Sequence, residues 1–252
     1  EHRCLLFADD VKLFAPINET NDCINLQRAI NLFSIRCRDN AMVLFIEKAS
    51  CLFTILDPAH DLTTRDISVE RTDTFRDLWI ILDTRLTFNH HLENILSRGN
   101  QLLDWIIRST QGFHNPMTIK TIYLARSVLE HGSIVSDPCT EQWSNRIEAI
   151  QRKATRYVER LLPWPQGDVL PSYHSSCLLL GIQTLKKCRE IAKYLFISGL
   201  FNHHIDAPTL LAKIEFNAPS RNPRTRQLIS VPLYRTRFFQ SDPMSAMSAI
   251  NN

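Results

Sequence analysis

The N-terminal third of the chain alternates short apolar runs with polar breaks. Leu5-Leu6-Phe7 and Val11-Lys12-Leu13-Phe14 flank Ala8-Asp9-Asp10, a pattern that predicts strand, tight turn, strand. Cys23, Leu26, Ile30, Phe33 and Cys37 then recur at three- and four-residue steps, the stripe of an amphipathic helix over roughly 21–40 with Thr20 placed to cap it. Met42 to Ile46 and Leu52 to Leu56 predict two strands separated by Glu47-Lys48-Ala49-Ser50, residues 57–74 are polar and irregular, and 75–88 predict a further strand pair around Asp83.

From Asn89 the period changes to that of helices. Asn89 precedes Leu92, Ile95, Leu96, Gly99, Leu103 and Ile106 on one face, and Asn115-Pro116 opens the next helix, since proline is favoured at the first helical position. Ile119, Ile122, Val128 and Leu129 supply that helix's apolar face. The most regular helix is expected over about 141–161. Trp143, Ile147, Ile150, Ala154, Tyr157 and Leu161 form its stripe, and Arg146, Arg152, Lys153, Arg156 and Arg160 crowd its remaining surface. Further helices are expected at 173–180, 184–203 and 208–214. The stretch 221–240 carries Arg221, Arg224, Arg226, Arg235 and Arg237 with no acid among them, and Pro223 and Pro232 favour extended chain there. The fold class is therefore α+β. Residues 1–88 form a small piece of β-hairpins plus a helix, 89–214 form a mainly helical piece, and 215–252 form a basic, largely extended tail.

Composition narrows the class. The 252 residues are 44% hydrophobic and 22% charged, ordinary values for a chain that buries a core. The net charge of +3 is mild, so its distribution matters more than its total. Seven cysteines include no Cys-x-x-Cys pair, which excludes a zinc knuckle or a dithiol redox motif. Their odd number points to free thiols in a reducing compartment, hence an intracellular protein of the nucleus or cytoplasm. No apolar run approaches the roughly 18 residues of a membrane span, and no signal peptide opens the chain. The chain opens on Glu1 with few residues before the first strand, so that strand's sheet partners are expected upstream, in a part absent from these residues.

Adjacent Asp9 and Asp10 in a hairpin turn are the candidate chemistry. Carboxylates are the hard oxygen ligands that Mg²⁺ takes, and two-metal sites use them to hold an attacking and a leaving oxygen in line. Taken alone, an Asp-Asp pair is a polar turn, because Asp tolerates turn geometry. The paired histidines His90-His91 and His203-His204 lack partners at metal-ligand spacing and read as surface or cap residues. Trp143 and Trp164 read as core.

Five blocks in order resemble the C-terminal half of the reverse transcriptase of non-LTR (LINE, jockey-like) retrotransposons. Leu6 to Phe14 resembles the catalytic palm hairpin, F/Y-A-D-D. Asn40 to Phe53, with Lys48 central, resembles the block that follows it. Phe75-Arg76-Asp77-Leu78-Trp79-Ile80-Ile81-Leu82-Asp83 resembles the D-L-G-V-x-L-D primer-grip hairpin. Arg126 to Ser133 resembles a thumb segment, R-x-x-L-E-Y-A/G-S. Arg146-Ile147-Glu148 with Ile150-Gln151-Arg152-Lys153 resembles an R-I-E-x-x-Q-R-K/R helix.

The resemblance implies a partial polymerase palm followed by a helical thumb and post-thumb region. The implied activity is RNA-directed DNA polymerisation, a two-metal nucleotidyl transfer to a DNA 3′-end. Its partners would be an RNA template, a DNA primer and dNTP, its cofactor Mg²⁺. Asp9 and Asp10 would be the metal ligands and Lys48 a general acid near the leaving pyrophosphate. The hairpin Asp77 to Asp83 would position the primer end. Arg146, Arg152, Lys153, Arg156 and Arg160 would follow the phosphate backbone. The family's fingers and first palm Asp are absent from these residues, so the expectation is a fragment inactive by itself. Phe45, Ala49, Trp79 and Ser136 depart from the family pattern, and the segments around 57–66 and 122–126 are a few residues short of it, so the 116–131 helix is expected to pack imperfectly. Two other readings remain: a nucleic-acid-binding remnant without catalysis, and a functionless product that folds poorly because its strands lack partners.

Overall fold

The computed structural model describes residues 3–7, 10–45, 49–53, 62–64, 67–112, 115–123, 127–138, 140–162, 171–212, 214–216 and 229–230. The architecture is mixed α+β, and the chain divides into two compact units, Glu1–Phe88 and Asn89–Asn252.

The first unit begins with the hairpin of β1 (Arg3–Phe7) and β2 (Asp10–Phe14). They are antiparallel, with Leu5 opposite Lys12 and Phe7 opposite Asp10. Helix α1 (Thr20–Asp39) follows, burying Cys23, Leu26, Ser34 and Cys37. Its cap is Glu19, not Thr20, which is already helical. The Asp22 carboxylate accepts the backbone N–H groups of Asn18 (2.9 Å) and Glu19 (3.1 Å), closing a capping box one residue earlier than expected.

Of the two strands expected at 42–46 and 52–56, Ile46 and residues 54–56 lie outside the described residues, and the described remainder is not strand. Met42 to Phe45 is irregular, and the strand that does form, β3 (Ser50–Cys51), falls within the expected connection. It pairs in parallel with β6 (Glu70–Arg71), while β4 (Thr63–Thr64) and β5 (Ile67–Ser68) make a minimal antiparallel pair. The Gln27 side chain joins helix to strand like an extra peptide unit. Its amide donates to the Thr63 carbonyl (2.6 Å) and its oxygen accepts the Thr63 N–H (2.8 Å).

The second hairpin, β7 (Thr74–Asp77) and β8 (Ile80–Asp83), turns through Leu78-Trp79 rather than around Asp83. Asp83 ends the hairpin and organises the exit. Its carboxylate accepts the N–H groups of Arg85, Thr87 and Phe88 and the Thr87 hydroxyl at 2.8–3.0 Å. Burial raises the Asp83 pKa, but the bonds from Thr87, Arg85 and Phe88 outweigh it and hold the carboxyl below its usual range.

The second unit is helical: α2 (Asn89–Ser109), α3 (Pro116–Tyr123), α4 (Ser127–Glu130), α5 (Glu141–Glu159), α6 (Tyr173–Leu179), α7 (Leu185–Phe201) and α8 (Pro208–Leu211). A small antiparallel pair, β9 (Glu215–Phe216) with β10 (Ile229–Ser230), follows. Of the helix expected over 116–131, the described residues are helical as α3 and α4, and 124–126 lie outside the described residues. Leu92, Ile95, Leu96, Leu103 and Ile106 of α2 pack with Ile147, Ile150, Ala154 and Val158 of α5 in the main core. Helix α5 is its hub, packed against α2, α3, α6 and α7. Gly99 lets α2 approach α4, since a Cβ there would stand 2.5 Å from Leu129 Cδ2.

The histidine pair needs correcting. His90 is exposed, but His91 is 1% exposed, because successive helical positions turn by about 100° and the second enters the core. Burial lowers the His91 pKa, a bond to the His131 backbone opposes this, and the charge of His131 adds to the lowering. The folded state therefore prefers neutral His91, and the unfolded chain takes up the proton first as pH falls through its ordinary value of 6.5. The helical unit should melt at lower temperature at pH 5 than at pH 7, with the loss beginning below about 6.5. His91→Gln should flatten that dependence in pH-resolved thermal denaturation.

The turn of the second hairpin yields another expectation. Leu78 (φ 44°) and Trp79 (φ 71°) both lie in the left-handed region, which costs a residue with a Cβ about 1–2 kcal/mol. Trp79→Gly should stabilise the first unit by about 0.5–1 kcal/mol after loss of its ring contacts, read as a higher denaturant midpoint at unchanged slope.

Candidate nucleic-acid interface and carboxylate hairpin

The β1–β2 register leaves Ala8 and Asp9 as the residues between the strands, with Asp10 opening β2 opposite Phe7. Asp10 is exposed. Asp9 and Lys48 lie outside the described residues. Asp10 also lines a cavity of about 450 Å³ walled by Val11, Leu13, Leu26, Phe33 and Cys51. That wall is mostly apolar, so the carboxylate stands at a boundary between solvent and hydrocarbon. Burial raises the Cys51 pKa, partly offset by Arg71, which keeps this thiol protonated and poorly nucleophilic.

Two residues further along β2, Lys12 forms an ion pair with Asp77 of β7, both side chains about a quarter exposed (26% and 27%). This contact sets the two hairpins of the first unit side by side. Nothing in the sequence marked it: Lys12 is the one polar residue in the run Val11–Phe14, and Asp77 was legible only as a hairpin residue.

A magnesium site can be tested on this donor set. Adjacent carboxylates are the right chemical kind, and Asp9 and Asp10 are the residues that would hold the ion. They are two carboxylates where Mg²⁺ takes six ligands in a near-ideal octahedron, so water, substrate or further groups would have to complete the set.

The basic residues of α5 are brought together. At about 100° per residue, Arg146, Arg152, Lys153, Arg156 and Arg160 fall within roughly one third of the helix circumference, opposite the buried Ile147, Glu148, Gln151, Ala154, Thr155 and Val158. Gln142, Asn145 and Ala149 share that arc, and no acid does. Two of the cations are held by rings: Arg146 lies 4.4 Å over Trp143 and Arg152 lies 5.1 Å over Tyr173. Lys153, Arg156 and Arg160 are exposed. Trp143 is half-buried and thus both wall and platform. The arginines of 221–240 and Trp164 lie outside the described residues.

The motif letters around this face do structural work that sequence reasoning missed. Glu148 is 7% exposed. Its carboxylate accepts the Tyr173 hydroxyl and the N–H groups of Leu185 (3.1 Å) and Lys186 (3.2 Å), anchoring the first turn of α7. Burial and the Glu148 charge push the Tyr173 phenol far above its usual range. Gln151, fully buried, donates to the Gln183 carbonyl at 2.8 Å. Arg189 of α7 pairs with Asp137 (3.0 Å), as does Lys193 (2.6 Å), and donates to the Ser144 hydroxyl (2.8 Å). The signal for Glu148 and Gln151 was available, since both fall beside the apolar stripe of a helix.

Compared with protein-family models, curated proteins and solved structures, the chain matches none. No helix among the described residues is long and apolar enough to cross a membrane.

Glu148→Ala should destabilise the helical unit by about 3 kcal/mol, since it strands a buried hydroxyl and two N–H donors. Glu148→Gln should recover part of that loss, and equilibrium urea denaturation measures both.

Proposed function

We propose that the chain is the end of the palm with the thumb and following region of a reverse transcriptase of the non-LTR retrotransposon kind. These 252 residues by themselves would bind a template–primer duplex without extending it. The observation that carries this reading is the Lys12–Asp77 ion pair. It joins the hairpin resembling the catalytic Ala-Asp-Asp turn to the hairpin resembling the primer grip, an adjacency that a primer terminus beside catalytic carboxylates requires. The ancestral reaction is template-directed attack of a DNA 3′-hydroxyl on a deoxynucleoside triphosphate. Bound magnesium would stabilise the negative charge on the attacking and leaving oxygens. Asp9 and Asp10 would supply oxygen ligands, and Lys48 would approach the departing pyrophosphate. The basic arc of α5 would follow the phosphate backbone without reading sequence.

That arc also supports the second reading, binding without catalysis. Five cations on one helix face, with no acid within their arc, form a polyanion footprint whatever became of the carboxylates.

Binding to an RNA–DNA hybrid should weaken steeply with salt. Five phosphate contacts predict a log–log slope of about −4 to −5. Lys153→Gln, Arg156→Gln and Arg160→Gln together should flatten the slope by about 3, while Asp9→Asn and Asp10→Asn leave it unchanged. Fluorescence anisotropy across a salt series checks this, and binding indifferent to salt or to the α5 changes would overturn it. Primer extension with Mg²⁺ and dNTP should give no product. A primer with a photoreactive 3′-nucleotide should crosslink to the tryptic peptide Cys4–Lys12. Crosslinks that avoid that peptide would leave only the non-catalytic reading.

A further inference from the structure

The tip of the β7–β8 hairpin carries a combination that folding alone does not favour. Trp79 is the largest residue type, it is 59% exposed, and it occupies a left-handed position (φ 71°) where glycine is unstrained. Leu78 beside it is 44% exposed and also left-handed. The Arg76 guanidinium lies 4.4 Å from the indole centroid, stacked on the ring. Both carboxylates of the hairpin are engaged elsewhere, Asp77 by Lys12 and Asp83 by four donors. Arg76 is therefore the charge the hairpin presents beside its exposed ring. Strain retained at an exposed aromatic tip argues for a role outside folding.

We infer that Trp79 and Arg76 form a stacking site for an unpaired base of a single-stranded nucleic acid. An exposed indole offers a π-face that any base can cover, and a guanidinium at its side attracts the phosphate joined to that base. An apolar pocket on a protein partner would take Leu78 and Trp79 but would find Arg76 a desolvation cost. Backbone phosphates alone would use Arg76 and ignore the ring. The site lies on the first unit and concerns bases rather than duplex phosphates, so it goes beyond the α5 interface and does not depend on it.

The test compares a short oligothymidylate with an abasic oligonucleotide of the same length, bound to the full chain at high salt to suppress backbone contacts. The wild-type chain should prefer the base-bearing strand by about tenfold. Trp79→Gly, which should fold at least as stably, should bind both strands equally, and Trp79→Phe should keep most of the preference. Arg76→Gln should weaken both strands and reduce the preference a few-fold. Equal wild-type affinity for the two strands would overturn the inference and leave Trp79 a strained substitution only. A preference undiminished in Trp79→Gly would also overturn it. The α5 substitutions should weaken hybrid binding and flatten its salt dependence while leaving the base preference intact, so failure of the duplex reading and failure of this one are separate outcomes.

Discussion

The buried carboxylate of Glu148 is the contact on which the helical unit depends. A charge in a hydrocarbon core is tolerated only when donors surround it, and Glu148 has three: the Tyr173 hydroxyl and the first two N–H groups of α7. Each donor comes from a segment that α5 must hold. Tyr173 starts α6, and Leu185 and Lys186 start α7, whose N-terminal N–H groups face the carboxylate. One side chain thereby sets the ends of two helices against the middle of a third. Gln151, one turn on, repeats the device by donating to the Gln183 carbonyl just before α7. At the far end of the helix pair, Tyr157 shares a hydrogen bond with Thr110, tying α5 to the end of α2.

This arrangement fixes the rotation of α5, and the rotation fixes the basic face. Once Glu148, Gln151, Thr155 and the aliphatic stripe are committed inward, Arg146, Lys153, Arg156 and Arg160 can only point outward. The face is therefore a by-product of how the core is locked, and its residues need make no contribution to stability. Trp143 and Tyr173 extend the same logic. Each ring is partly taken into the unit and leaves a surface on which an arginine rests, reducing the freedom of a long side chain before any ligand arrives.

What the sequence made legible follows from which interactions are local. Helices α2, α5 and α7 were readable because period 3.6 is written within each segment, and the residues expected inside α2 are inside. The β1–β2 hairpin was readable because its partner strand lies a few residues away. The strand expected at 42–46 is absent from Met42 to Phe45 for the opposite reason. Pairing there is non-local, and the pair that forms, Ser50–Cys51 with Glu70–Arg71, joins stretches that look irregular when read alone. His91 was misjudged because a doublet of identical letters hides the rotation that sends one residue to water and the next to the core. Glu148 and Gln151 were read as letters of a motif, whereas the distinction between a motif that binds and one that packs lies in hydrogen-bond partners contributed more than twenty residues later. The Trp79 turn was legible as a departure from a glycine, but the sign of its backbone angle was not.

The first unit is organised by polar ties more than by a core. Leu5, Leu6 and Phe7 of β1 are all more than half exposed, and a two-stranded hairpin buries little by itself. Its order comes from pairwise constraints: the capping box before α1, the Gln27 amide on Thr63, the four donors on Asp83, and the Lys12–Asp77 pair. Such ties are directional, so they fix position where a small apolar contact would allow sliding. Ion pairs at partly exposed sites contribute little stability, and Lys12–Asp77 is best understood as a positional constraint between two hairpins. It sets the Asp10 end of one hairpin in the same frame as the Trp79 tip of the other. The Asp10 carboxylate and a strained, guanidinium-backed indole are thus held in one frame by a single ion pair, which is the physical argument behind the binding role proposed for the first unit.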